Sequence, residues 1–136
     1  MRHIVIDTNC LVQMISMHSP YRPAWDAFRQ GRYILCVSNE IITEYTEVLT
    51  QLTTPYIAEN IVHAILKSPF CRRYDPQFRF GLIKQDPDDN KFVDCAIIAN
   101  AEYIVSEDSH FNVLRSIPFP RVRVLRLVEF LENLPL

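Results

Sequence analysis

Four carboxylates stand out in this chain by their surroundings: Asp7, Glu44, Asp94 and Asp108. Asp7 ends the apolar run Ile4-Val5-Ile6, and Asp108 lies just beyond Tyr103-Ile104-Val105. Glu44 sits at the edge of a helical apolar stripe built from Ile41, Ile42, Tyr45, Val48, Leu49 and Leu52. At about 100° per residue, Glu40 and Glu47 point further from that stripe. Asp94 is followed by five apolar or small residues, so its helix is expected to be buried and its charge to need a partner. Acids brought together repel unless something neutralises them. Hard divalent cations with oxygen ligands do so, and Mg²⁺ or Mn²⁺ suits such a set. Metals held by carboxylates activate water and stabilise an in-line phosphoryl displacement. On its own, Asp7 reads equally well as a simple cap for the helix starting near Asn9.

The elements that must position these acids alternate along the chain. The β-branched run of residues 3–6 favours an extended strand, and its lack of polar alternation indicates cover on both faces, as in a parallel sheet between helices. A short stripe of Leu11, Val12, Met14 and Ile15 stops near Ser19-Pro20, and a second helix covers Pro23 to Gln30, with Trp25 and Phe28 as packing residues and Gly31 as its end. Tyr33 to Val37 reads as a second buried strand. Ser38 caps a long helix to about Leu52, and Pro55 opens another that closes before Pro69. Residues 70–88 carry no clear period. Their arginines and aromatic residues make either an irregular connection anchored by its rings or a loop that faces nucleic acid. Asp88 or Asp89 caps the helix bearing Asp94. A third strand at Tyr103–Val105, a short helix at most over 109–116, a last strand at Val122–Leu125 and a closing helix at Leu127–Leu134 complete the order. Sequential parallel strands share one carboxyl rim, so Asp7 and Asp108 can be neighbours, and the helices of Glu44 and Asp94 start at that rim.

Composition narrows the function. The chain has 136 residues, 49% hydrophobic and 22% charged, an ordinary balance for one domain over residues 1–136. Its two glycines, Gly31 and Gly81, cannot build a glycine-rich phosphate loop. A net charge of -2 argues against binding nucleic acid through a broad basic surface, but not against meeting phosphates through metal ions. The four cysteines form no CxxC pair and read as reduced core residues. Neither a signal segment nor a bilayer-spanning run is present, which gives the expectation of a cytoplasmic protein without membrane association.

The pieces Ile6-Asp7-Thr8-Asn9, Glu44-Tyr45, Asp86-Pro87-Asp88-Asp89-Asn90-Lys91-Phe92 leading to Asp94, and Ser106-Glu107-Asp108 resemble a PIN-domain ribonuclease of the type found as the toxin in bacterial toxin–antitoxin pairs. Their order covers nearly the whole chain. The resemblance implies an α/β fold, a three-layer α/β/α sandwich with a central, mainly parallel sheet, and Mg²⁺- or Mn²⁺-dependent cleavage of RNA. Carried over by position, Asp7, Glu44, Asp94 and Asp108 match the catalytic, metal-holding acids, and Asn9 and Ser106 match supporting polar positions. Asp7, Asp94 and Asp108 would hold one cation, and Glu44 would help to hold a second or orient water. Glu107 departs from the small residue common in the family, and Ser109, His110 and Asn112 stand where some members carry a further acid. The resemblance also implies a small antitoxin that inserts an arginine among the carboxylates, and a possible homodimer. The alternative is an inactive PIN-like module that binds RNA or protein. A receiver domain is disfavoured because strand one offers a single acid and no lysine follows Lys91, and a haloacid-dehalogenase-type phosphatase because Asn9 replaces the second acid of its motif.

Overall fold

The computed structural model describes residues 2–134. Five strands form one all-parallel sheet: β1 (His3–Ile6), β2 (Ile34–Val37), β3 (Cys71–Arg73), β4 (Tyr103–Val105) and β5 (Val124–Leu125), in the order β3-β2-β1-β4-β5. Among the described residues, six α-helices accompany it: α1 (Thr8–Ile15), α2 (Arg22–Arg29), α3 (Asn39–Leu52), α4 (Pro55–Lys67), α5 (Asn90–Ala99) and α6 (Leu127–Glu132). This is the expected α/β/α sandwich. β2 and β4 are apolar and buried residue by residue, and so is β1 from Ile4 to Ile6, as strands covered on both faces must be. α5 packs across β1, β2 and β4, α3 pairs with α4 as a helical hairpin, and α2 meets α1 and α6.

The strand order has a consequence for chemistry. The chain runs from β1 outward through β2 to β3, then returns to the other side of β1 for β4 and β5. The reversal point therefore lies between β1 and β4, where open α/β sheets leave a crevice at the strands' carboxyl ends. Ile6 pairs with Val105, and the Asp7 N–H donates to the Val105 carbonyl at 3.0 Å. Asp7 and Ser106 thus leave the sheet side by side.

Most local expectations hold. Ser38 caps α3 through the Ile41 N–H, and Thr54 caps α4 through the Ile57 N–H. Trp25 packs on Phe28 with ring centroids 5.5 Å apart, and both are buried. All four cysteines are free, and burial pushes the Cys36 thiol up to about 12. No helix among the described residues is long and apolar enough to cross a membrane.

The connection after α4 differs from the expectation. It contains β3, an edge strand that pairs Cys71 with Leu35 and Arg73 with Val37. Three residues, two of them exposed arginines, carry no period a sequence could reveal, and charge on a sheet edge discourages pairing with another chain. Phe70 and Tyr74 anchor the connection on the core, whereas Phe78 is 63% exposed and stacks edge-on against Phe80. The last strand and last helix are shorter than expected, at Val124–Leu125 and Leu127–Glu132.

Gly31 ends α2 with φ +75°, and a Cβ there would come within 2.5 Å of the Phe70 ring. Gly31→Ala is therefore expected to lower stability by about 1 kcal/mol or more, through the left-handed backbone and the clash together. Denaturant unfolding of the two proteins measures it.

Candidate active site

Asp7 is held from several sides. It is 6% exposed. Its Oδ1 accepts the Asn9 N–H at 3.2 Å and caps α1, while Oδ2 accepts the Ser106 hydroxyl at 2.7 Å. Ser106 accepts in turn from the Asp108 N–H at 3.0 Å. One carboxylate thus caps a helix and also joins the turn after β4, so the capping and site readings of Asp7 are not exclusive. Burial raises its pKa above the ordinary carboxylate value; Ser106 and the Asn9 amide oppose the rise, and the charges of Glu44 and Asp108 add to it. Asn9 contributes its backbone, and its side chain is exposed.

Glu44 reaches the same neighbourhood from α3. Its Oε2 accepts the hydroxyl of buried Thr8, and its Oε1 pairs with Lys91 Nζ at 2.6 Å. Lys91 stands in the first turn of α5, where the helix dipole disfavours a cation. The Glu44 charge offsets that cost, and the Lys91 side chain is 13% exposed. Next to Glu44, the Tyr45 hydroxyl donates to the Ile6 carbonyl, tying α3 to β1. Thr8 was not singled out in the sequence, although it lies between two residues that were.

The third acid beside Asp7 and Asp108 is Asp89. It closes the 3-10 turn Pro87–Asp89 and precedes α5. Its pKa is pushed up to about 7, first by burial and then by the charges of Asp108, Asp86 and Asp7; the His110 ring works the other way. Asp86, Asp89, Asp108 and His110 present one ligand atom each, all within 4.8 Å of one another. Asp89 Oδ2 and His110 Nδ1 are buried without a hydrogen-bond partner. Buried polar atoms left unpaired are costly, and a cation among these donors would satisfy both. The donor set, three carboxylates and an imidazole, fits a divalent metal.

The structure does not bring Asp94 to this group. Asp94 is buried on α5, its Oδ1 accepting the Phe80 N–H at 3.2 Å, and its electrostatic neighbours are Arg79 and Glu40, themselves paired at 2.5 Å. It borders a separate cleft of about 200 Å³ shared with Glu40, Arg79 and Lys91. The reason is helical geometry: five residues beyond Asp89, a side chain points roughly 140° further round the axis and about 7.5 Å further along it. Asp94 answers the demand that a buried acid be partnered, but its partner is the backbone of the long connection. The sequence marks Asp89 first as a cap, with a contribution to a second metal site as its lesser reading. A usable signal was there, since Asp89 is followed by Asn90, whose amide clamps the Ile83 backbone N–H and carbonyl at 2.8 Å each and so fixes the turn.

The raised pKa of Asp89 fixes a sign. In metal-free protein its folded value, about 7, exceeds the ordinary 3.8, so the folded state holds the proton more tightly than the unfolded. Its contribution to stability is complete below the unfolded value and is lost as pH rises through the folded one. With chelator present, the melting temperature should fall between pH 4 and pH 7, and Asp89→Asn should flatten that slope. Asp7 acts in the same direction. Thermal melts across pH measure the effect.

Comparison with known proteins accords with this geometry. No curated protein matches the sequence. Several solved structures are similar in fold. A chain of the VapBC2 complex from Rickettsia felis, bound to promoter DNA, superposes with a TM-score of 0.62 at 14% identity, covering 91% of this chain and 98% of that one. A chain of the DNA-bound VapBC complex from Salmonella typhimurium gives 0.61 at 16% identity, with 93% and 99% covered. VapC20 of Mycobacterium tuberculosis, described as a sarcin-ricin loop cleaving toxin, gives 0.59 at 15% identity, with 88% and 98% covered. A family model described as PIN domain matches residues 3–110, from β1 to the turn after β4. The chain therefore belongs to the PIN domain family.

Proposed function

We propose that this protein is a metal-dependent endoribonuclease, the toxin of a toxin–antitoxin pair, whose centre is made by Asp86, Asp89, Asp108 and His110 together with Asp7, and with Glu44 at its edge. The observation that carries the reading is the convergence of acids at the β1/β4 crevice around two buried, unpaired donor atoms, Asp89 Oδ2 and His110 Nδ1. A fold by itself supports many activities, so the argument rests on this constellation. Membership of the PIN family and the likeness to VapC20, a toxin that cleaves the sarcin-ricin loop, favour RNA as substrate. The VapBC complexes among the similar structures favour a small antitoxin as partner.

When bound, Mg²⁺ or Mn²⁺ would neutralise phosphate charge and lower the pKa of the attacking water. The chain's own residues supply the rest. Ser106 and the Asn9 amide fix both oxygens of Asp7, so that it offers a directed charge. His110 and Ser106 orient Asp108 through backbone contacts at 2.9 and 3.0 Å. Thr8 and Lys91 hold Glu44 at the rim, where it can orient water or help with a second cation. Asp94 on this reading is structural, a buried acceptor for the Phe80 N–H.

The test is cleavage of single-stranded RNA by purified protein with Mn²⁺ or Mg²⁺. Chelator should abolish it. Asp7→Asn and Asp89→Asn should each lose at least ~100-fold, the usual loss when a group that stabilises transition-state charge is removed. Asp94→Asn should keep activity within about tenfold and stability within about 1 kcal/mol, because Asn retains the acceptor. Circular dichroism checks that each variant is folded. Metal-independent RNA binding without cleavage would instead favour the inactive module, and full activity in Asp89→Asn would remove the assignment.

A further inference from the structure

One member of the acidic centre is not an acid. His110 lies two residues after Asp108 at the start of the 3-10 helix Ser109–Ser116. Its backbone N–H donates to Asp108 Oδ1 at 2.9 Å, which turns the ring back toward the strand ends. Nδ1 then sits 3.3 Å from Asp108 Oδ1, 3.6 Å from Asp86 Oδ2 and 3.6 Å from Asp89 Oδ2. It is aligned for a hydrogen bond with none of them, although the atom itself is buried. Asp86 is held in this position because its other oxygen caps the Asp88 N–H at 3.2 Å.

We propose that His110 Nδ1 is a nitrogen ligand of the cation at this centre and makes the site prefer a transition-metal dication such as Mn²⁺ over Mg²⁺. The inference rests on the metal-dependent reading above and adds the ligand atom and the preference. Two donors each about 2.2 Å from a shared octahedral cation lie roughly 3.1 Å apart when adjacent and 4.4 Å when opposite. The separations of 3.3–3.6 Å from Nδ1 to the three carboxylates approach the adjacent value, so a small contraction closes the set. Imidazole suits borderline cations, whereas Mg²⁺ favours oxygen donors in a strict octahedron. The competing arrangement is an imidazolium that clamps the three carboxylates and leaves the metal all-oxygen.

Pulsed electron paramagnetic resonance on the 136-residue chain loaded with Mn²⁺ separates the two. Ligation predicts ¹⁴N modulation from a bound imidazole in the wild type. In His110→Asp, which keeps a donor at the position, Mn²⁺ should still bind but the modulation should vanish. The ratio of Mn²⁺ to Mg²⁺ affinity, read by competition titration of the free Mn²⁺ signal, should fall by about tenfold. Mn²⁺ bound to the wild type without imidazole modulation overturns this inference and leaves the nuclease reading intact, as does modulation that persists in His110→Asp. Failure of the wild type to bind Mn²⁺ or Mg²⁺ overturns both.

Discussion

The pairing of β1 with β4 is the constraint on which the rest of this protein depends. It joins residues from the start of the chain to residues far along it and ends both strands at one point, with Ile6 opposite Val105. Beyond that point lie Asp7, Ser106 and Asp108, linked through the Ser106 hydroxyl. Because the chain leaves β1 toward one side of the sheet and β4 toward the other, the connections that follow the two strands part here and open a crevice at their carboxyl ends. What fills it comes from elsewhere: Glu44 from the start of α3, and Asp89 from the turn before α5.

Burying these carboxylates side by side has a cost: desolvation first, and their mutual charge after it, raise the pKa values of Asp7 and Asp89. The protein offsets part of it locally. Ser106 and a helix amide stabilise Asp7, and Lys91 pairs with Glu44 at the positive end of a helix where a lysine is otherwise misplaced. The remainder falls on Asp89 and its neighbours, where two buried atoms have no partner. An arrangement with this much uncompensated negative charge is poorly suited to packing alone and well suited to holding a cation.

Asp94 and Asp89 illustrate how similar residues on one segment acquire different work. Both are acids, both are raised by burial, and they are five residues apart. Asp94 secures the connection between β3 and α5 by accepting from Phe80, beside the Arg79–Glu40 ion pair. That connection supplies Asp86 and Asp89, so Asp94 helps to place the two acids that stand with Asp108 and His110.

The sequence by itself determined the layers, because burial on both faces is written in the unbroken apolar runs of Ile4-Val5-Ile6 and Ile34-Leu35-Cys36-Val37, and helix starts are written in Ser38 and Pro55. It also made Asp7 and Asp108 conspicuous, since a carboxylate directly after a buried strand lies at the sheet's carboxyl rim in any parallel arrangement. Tertiary structure alone decided which acid of the segment 86–94 joins them. That choice depends on where the 3-10 turn ends and α5 begins, an angle of rotation that a string of residues leaves open and that Asn90 fixes through its grip on Ile83. The edge strand β3 was hidden for a related reason: its three residues have no pattern of their own and are extended because β2 offers them hydrogen bonds.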